Sequence, residues 1–508
     1  MILALLLTPL IGGGLAFAMR PNWPRRALLV LAAVAHGSLV LACWRQTPQP
    51  LVDGWLAVDS VSLLFLSTMT VVFLVTCVYA VGYLAREGQH ASAHGSDDVP
   101  FVNYPEATFT GCLLLFLAAM TLVLVSRHWG LMWVAVEATT LASAPLIYFH
   151  RSPRSLEATW KYLVICSVGI AIALLGNFFL AVAARGVGSE RIHLVVGQLE
   201  AHATELDPLW LKAAFMLLLV GYGTKMGLAP LHTWLPDAHS EAPSMVSALL
   251  SGVLLNCAFL AVLRAHSLLA KAGLEAFSRD LLTLFGLISM GLAALFIIGQ
   301  ADYKRLLAYS SVEHMGILAL GIGIGGAAGV GSLLHMVNHS LTKAMLFLAA
   351  GNTLAFFHSK STSQTRGILG AIPVTGVIWL VGLLAITGSP PFGTFISELA
   401  VLKGIVDTHR MLVAAFYLGA LSIAFVGMAT VVLPMIYGTP MKATDDPAPG
   451  DHPGQGLPKA DAEARGVEAW WSVVPPLLLG TAALVLGLYL PKELTALLQD
   501  AATALGAK

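Results

Sequence analysis

The stretch 221-GYGTKMGLAPLHTWLPDAHSEAPSMVSALLSG-252 sets an ionisable residue, Lys225, inside an apolar run and interrupts that run shortly afterwards at Pro230. Proline lacks a backbone donor and clashes with the preceding helical turn, so it frees carbonyls that need partners in protein or water. An ammonium group at bilayer depth is held only where it is paired, solvated or neutralised. Together these features predict a broken membrane helix beside a polar cavity, with His232, Asp237, His239 and Glu241 crowded after the break.

The rest of the chain supports a membrane setting. It has 508 residues, is 57% hydrophobic and only 11% charged, and its mean hydropathy is +0.79. A soluble domain of this size needs far more charge on its exterior. The 28 basic and 28 acidic residues cancel, which removes any argument for nucleic-acid binding. Cys43, Cys77, Cys112, Cys166 and Cys257 form no CxxC; they read as small apolar packing residues, not as a zinc or iron–sulfur site. The opening MILALLLTPLIGGGLAFAM has its positive charges after the apolar run, so it reads as a retained first helix and not a signal peptide.

Apolar windows predict an all-α polytopic protein of about fourteen transmembrane helices, near 2–19, 26–43, 58–84, 109–126, 131–149, 159–183, 210–228, 243–264, 281–299, 306–325, 329–357, 373–399, 411–435 and 471–490. Asp59 is an expected N-cap. Basic residues in the loops at 20–26, 151–154, 304–305 and 360–366 all fall on one side, which the positive-inside tendency makes cytoplasmic. Both termini are then non-cytoplasmic. The tract 85–108, with His90 and His94, reads as a solvent loop without a compact metal-ligand pattern, and 438–468 as a disordered or partner-contacting linker.

Further ionisable residues lie inside apolar runs. Glu137 sits midway through 129-WGLMWVAVEATTLASAPLIYF-149, and Lys225 is its expected partner. In 332-SLLHMVNHSLTKAMLFLAAGN-352, His335, His339 and Lys343 recur at i,i+4 and form one polar stripe. Imidazoles and a desolvated lysine can exchange protons near neutral pH, so the stripe suits a hydrated relay better than a metal site. A second break, in 386-ITGSPPFGTFISELAVL-402, precedes Glu398. Paired interrupted helices in two halves point to inverted repeats around an ion path. Between them 300-QADYKRLLAYSSVEHMG-316 carries Glu313 and His314, which read mainly as capping and packing with a possible link between the halves.

The stretches 225-KMGLAPLHTWLPDAHSEAP-243, 302-DYKRLLAYSSVEHMG-316, 335-HMVNHSLTKAMLFLAAGN-352 and 385-AITGSPPFGTFISE-398 resemble the antiporter-like membrane subunits of respiratory complex I, membrane-bound hydrogenases and cation/proton antiporters. The resemblance runs from about residue 58 to 435. It implies two inverted five-helix repeats, taken here as 109–265 and 281–435, flanked by 1–108, a polar loop 436–470 and a C-terminal helix in 471–508. It also implies a proton pathway in which Glu137, Lys225, His335, His339, Lys343 and Glu398 match the family's residues, and His232, His239, Asn256 and Glu313 are candidate members beside them, Asn256 as a water-bonding group that cannot itself hold a proton. Asn256, in 252-GVLLNCAFLAVLR-264, stands where many complex I members carry a lysine. With Glu398 and the phrase around 385–395, it resembles the hydrogenase-4 and formate hydrogenlyase branch.

The function this implies is proton translocation within a multisubunit complex of the complex I or group 4 hydrogenase type, in a cell inner membrane. The chain would have no catalytic centre and no cofactor of its own, since it lacks a Rossmann fingerprint, a P-loop and Cys-rich motifs; it would serve an NADH:quinone or hydrogenase-like oxidoreductase. Expected partners are other membrane subunits, a soluble redox or zinc-bearing module, lipid, and protons, with Na⁺ or K⁺ as the alternative ion. Other readings are a cation/proton antiporter subunit, a proton-conducting partner of an inorganic-carbon uptake complex, and a membrane scaffold whose charges only lock helices.

Overall fold

The computed structural model describes residues 1–93, 103–185, 193–439 and 468–506, with the side chains of 87–93 left aside. Its helices, in chain order, are α1 (Ile2–Ala18), α2 (Asn22–Arg45), α3 (Ser60–Ala93), α4 (Glu106–Val125), α5 (Trp129–Ile147), α6 (Pro153–Ala183), α7 (Val196–Ala201), α8 (Pro208–Met226), α9 (Trp234–Glu241) and α10 (Ser244–Leu249). They continue with α11 (Leu255–Lys271), α12 (Glu275–Ile297), α13 (Tyr303–Ile324), α14 (Gly326–Phe357), α15 (Ile368–Ala371), α16 (Pro373–Ile386), α17 (Gly393–Asp407), α18 (Met411–Tyr437), α19 (Trp470–Leu488) and α20 (Lys492–Ala504). A π-helical turn, Leu250–Leu254, joins α10 to α11.

Twelve helical stretches are long and apolar enough to cross a membrane, and α1 and α16 are shorter apolar helices. Fourteen crossings remain an expectation, because the count depends on those two. The first half of the expected loop at 85–108 is helical instead, since α3 runs on to Ala93; Ala, Arg, Glu and Gln there are good helix formers whether or not lipid surrounds them. His94 and most of the 438–468 linker lie outside the described residues. The C-terminal segment holds two helices where one was expected, the second amphipathic with Leu497, Leu498, Ala501 and Ala502 buried.

The helix ends follow local chemistry. Asp59 accepts from Ser62 N at 2.7 Å and so caps α3 as expected. Asp302 accepts from Lys304 N and Arg305 N at the start of α13. The Lys304 side chain is buried and donates to the carbonyls of Ser240 and Ala242, closing the C-terminus of α9. An ionic cluster around it joins Lys161 and Arg305 to Asp237, and Lys360 to Glu241.

Small residues set the close helix pairs. A Cβ on Gly221 of α8 would lie 2.6 Å from Ala173 of α6, and one on Gly286 of α12 would lie 2.8 Å from the carbonyl oxygen of Gly316 on α13. Membrane helices approach this closely only through such residues. The outcome is a centre made of α10, the π-turn, α11, α13 and α14, nearly all of whose residues are buried. The apolar faces of α1, α2, α5, α6 and α18 point outward.

Candidate functional site

Both predicted breaks occur, and each falls at a glycine in the left-handed region. α8 ends at Gly227, with φ of 86°, and α16 is followed by Gly388, with φ of 63°. Only a residue without a Cβ turns the chain this way without strain. The first break lets Trp234 donate to the carbonyl of Thr224 at 2.8 Å; the second brings the Glu398 carboxylate against Gly388, where a Cβ would collide with it.

In the first half Lys225 is fully buried and its ammonium donates to Thr140 Oγ1 at 2.7 Å and Tyr162 OH at 2.6 Å. Tyr162 in turn shares a 2.6 Å hydrogen bond with Ser143, and its ring faces the Lys225 Nζ at 4.4 Å. The expected direct partnership of Glu137 with Lys225 is absent among the described residues. Glu137 is only half-buried, accepts from Ser167 Oγ at 2.8 Å, and leaves Oε2 without a partner. Burial alone does not decide pairing, because hydroxyls on α5 and α6 reach the ammonium before the carboxylate does.

In the second half α13, α14 and α17 converge. His314 Nδ1 and His335 Nε2 are 2.7 Å apart, with the rings stacked at 4.9 Å between centroids. His335 Nδ1 meets Ser397 Oγ at 2.9 Å, and one ligand atom from each of His314, His335 and Glu398 lies within 4.8 Å of the others. The His339 ring is 5.0 Å from that of His314 and lies against the Ser251 backbone. Lys343 donates to Leu307 O at 2.7 Å and to Ser310 Oγ. The stripe predicted on α14 is therefore real and wholly buried. Glu313 is buried too, within electrostatic range of Lys343 and Glu398.

Between the halves stands Asn256. Its amide donates to Ser340 Oγ on α14 at 2.8 Å and to Gly252 O at 2.9 Å, while Oδ1 has no partner. Ser251 and Ser311 add a second cross-link at 2.8 Å. His239 stacks on Phe347 at 5.0 Å with both nitrogens unpartnered, and His232 presents its ring edge to Tyr309. Neither histidine bonds directly to another predicted site residue.

Sequence reading placed His314 mainly among packing residues, whereas it is the hub of the second cluster. Its signal was available only across helices, since nothing in 302–316 announces which turn faces His335. Thr140, Tyr162 and Ser397 also escaped, because hydroxyl residues are common in membrane helices and carry no distinguishing spacing.

This arrangement can hold several protons in adjacent buried positions and pass them with small side-chain movements. Residues 126–424 match the family described as NADH:quinone oxidoreductase/Mrp antiporter, TM. The hydrogenase-4 component F homolog of Methylacidiphilum infernorum (isolate V4) is 38% identical over 388 residues, spanning 76% of this chain and 79% of the relative. Hydrogenase-4 component B of Escherichia coli (strain K12) is 30% identical over 422 residues, 79% of this chain and 59% of the relative. A chain of the archaeal membrane-bound sulfane sulfur reductase superposes with a TM-score of 0.83 over 99% of this chain and 97% of its own length. At 20% identity that last likeness concerns the fold.

Proposed function

Because this chain belongs to the NADH:quinone oxidoreductase/Mrp antiporter membrane family, we propose that it is a proton-translocating multi-pass subunit of a membrane complex of the complex I or group 4 hydrogenase type. One observation carries the reading. Buried polar groups stand in both halves, Lys225 with Tyr162 and Thr140 in the first and His339, His314, His335 and Glu398 in the second, and between them Asn256, bonded to Ser340, can hydrogen-bond water though it holds no proton itself. A scaffold would need its polar side chains mutually satisfied, yet among the described residues Glu137, Asn256 and Glu398 each keep a buried oxygen with no protein hydrogen-bond partner.

Redox or other driving chemistry then lies in partner subunits, and this chain supplies the ion route and no cofactor. The first and second halves act as two stations, with the breaks at Gly227 and Gly388 giving each its freedom to rearrange. The chain sits in a cell inner membrane with both termini outside the cytoplasm, an orientation supported by the basic loops, of which those bearing Lys304 and Lys360 meet at one end of the bundle.

The test is proton uptake by proteoliposomes holding the purified complex. Replacing Lys225 with alanine is expected to abolish pumping while leaving assembly intact, and undiminished pumping would refute the reading. Repeating the measurement with an imposed sodium gradient separates proton translocation from sodium/proton exchange, since only exchange makes the proton flux follow the gradient's direction.

A further inference from the structure

We propose that His314, His335 and Glu398 form a binding site for a divalent transition-metal ion of the zinc class, and that the bound ion blocks the proton route there. The blocking half rests on the function proposed above; the binding half stands on the side chains alone.

Ser397 fixes the tautomer of His335. Its hydroxyl lies 2.9 Å from the carbonyl oxygen of Thr394 and 3.2 Å from that of Gly393, to which it donates. The remaining capacity of Oγ is therefore as an acceptor, and His335 Nδ1–H at 2.9 Å fills it. His335 Nε2 is left as a bare lone pair aimed at His314 Nδ1. A ring nitrogen oriented by an outer hydrogen bond on its opposite side is the usual preparation of a metal-binding histidine.

The third ligand is equally prepared. Glu398 is 7% exposed, and its Oε1 has no hydrogen-bond partner among the described residues. It sits within 4.8 Å of both imidazole ligands, while Gly388 leaves the space its carboxylate occupies. Tetrahedral zinc with bonds of about 2.0 Å needs ligand atoms roughly 3.3 Å apart. The His314–His335 contact must open slightly from 2.7 Å and Glu398 must close in, which side-chain rotation allows. His339, whose ring lies beside that of His314, can supply a fourth ligand or leave that position to water.

The donor set chooses the ion. Two imidazoles and one carboxylate suit Zn²⁺ or Co²⁺, whereas Mg²⁺ and Ca²⁺ prefer oxygen alone. Glu398 also borders a cavity of about 320 Å³ between α17 and α18, which leaves its carboxylate room to move and whose remaining wall is mainly apolar, with Phe395, Leu399 and Phe425. An ion bound there takes the lone pairs that protons would use, and a proton between the two rings must leave, because His314 is already bonded to the Ile386 backbone on its other side.

The full-length chain in its purified complex should take up one Co²⁺, seen as visible d–d absorption of tetrahedral type and displaced by Zn²⁺. Glu398→Gln and His335→Gln should lose this band. Ser397→Ala, a milder change, should weaken Co²⁺ binding about 10- to 100-fold by freeing the His335 ring. Lys225→Ala, distant from the ligands, should bind Co²⁺ as the unaltered chain does. Absence of stoichiometric Co²⁺ uptake, or uptake unchanged in both His335→Gln and Ser397→Ala, overturns the site. Proton flux should fall in step with Zn²⁺ occupancy, and full flux at full occupancy overturns the block. A complex that binds Co²⁺ yet conducts no protons sinks the proposed function and not the site.

Discussion

The two halves of this chain each bend a membrane helix at a left-handed glycine, and then furnish the bend in opposite ways. Beside Gly227 a single ammonium, Lys225, is enclosed by two hydroxyls and an aromatic face. Beside Gly388 a carboxylate, three imidazoles and a second lysine crowd together, with the carboxylate's Oε1 lacking a hydrogen-bond partner among the described residues. Hydroxyls accept from an ammonium and can equally donate to a neutral amine, so the first site tolerates either state of one group. The second distributes its charge over five groups and can settle it in many ways. On the proposed function, the first half then holds a proton and the second redistributes it.

The strongest attack on this contrast is to remove both stations. Lys225→Ala and Glu398→Gln should each lower proton flux at least about tenfold, and the double variant should be no slower than the worse single, as for steps in series. Multiplicative loss would mean that both residues act on one and the same step, whereas single losses of about half with abolition in the double would mean two parallel routes. Next, Gly388→Ala should reduce flux about tenfold and destabilise the chain by about 1 kcal/mol, because the methyl group displaces Glu398 and φ becomes unfavourable. The corresponding Gly227→Ala would press on Leu235 and not on a charge, so an equal loss of flux there would break the comparison. Thermal unfolding in detergent and flux assays read both variants.

A subtler probe is Tyr162→Phe, which leaves Lys225 with Thr140 alone. Losing one hydrogen bond to a buried ammonium is worth about 1–2 kcal/mol, so flux should fall several-fold while the second cluster is untouched. Smallest is Asp59→Asn, outside both stations. Burial raises the Asp59 acidity constant's pKa, but Arg264, Arg127 and the Ser62 hydrogen bonds outweigh it, and the net direction is downward. A depressed carboxyl stabilises the fold above its unfolded value, about 3.9, and loses that contribution as pH falls through the folded value. Asp59→Asn should therefore cost about 1 kcal/mol at neutral pH, converge with the parent in strong acid, and leave flux unchanged.

Much of this was legible in the residues. Gly227 with Pro230, and Gly388 with Pro390 and Pro391, announced two interruptions because no other residue types disrupt helices so reliably. The i,i+4 recurrence of His335, His339 and Lys343 gave one face because helical geometry permits nothing else. Glu137 was misassigned as the partner of Lys225 because sequence shows which residues are costly to bury, not which neighbour arrives first. His314 was undervalued because its importance lies in the turn of α13 that meets α14, a matter of rotation between helices. The helical extension of α3 was hidden by polarity: Arg86, Glu87 and Gln89 look like loop and propagate helix.

The π-turn at Leu250–Leu254 has a consequence of arithmetic. Such a turn amounts to one residue more than an α-helix of the same span requires. The wider turn absorbs that residue without turning the helix beyond it, so deleting one residue there would let α10 and α11 fuse into one regular helix with Asn256 still facing Ser340 and Arg264 still facing Ser62 and the carbonyl of Leu124. The same deletion in the regular turns between Asn256 and Arg264 would rotate everything beyond by about 100° and pull Arg264 off its partners. Those contacts depend on phase and not on local side-chain identity. Within these five positions, unlike the turns that follow, the chain can change its length by one residue.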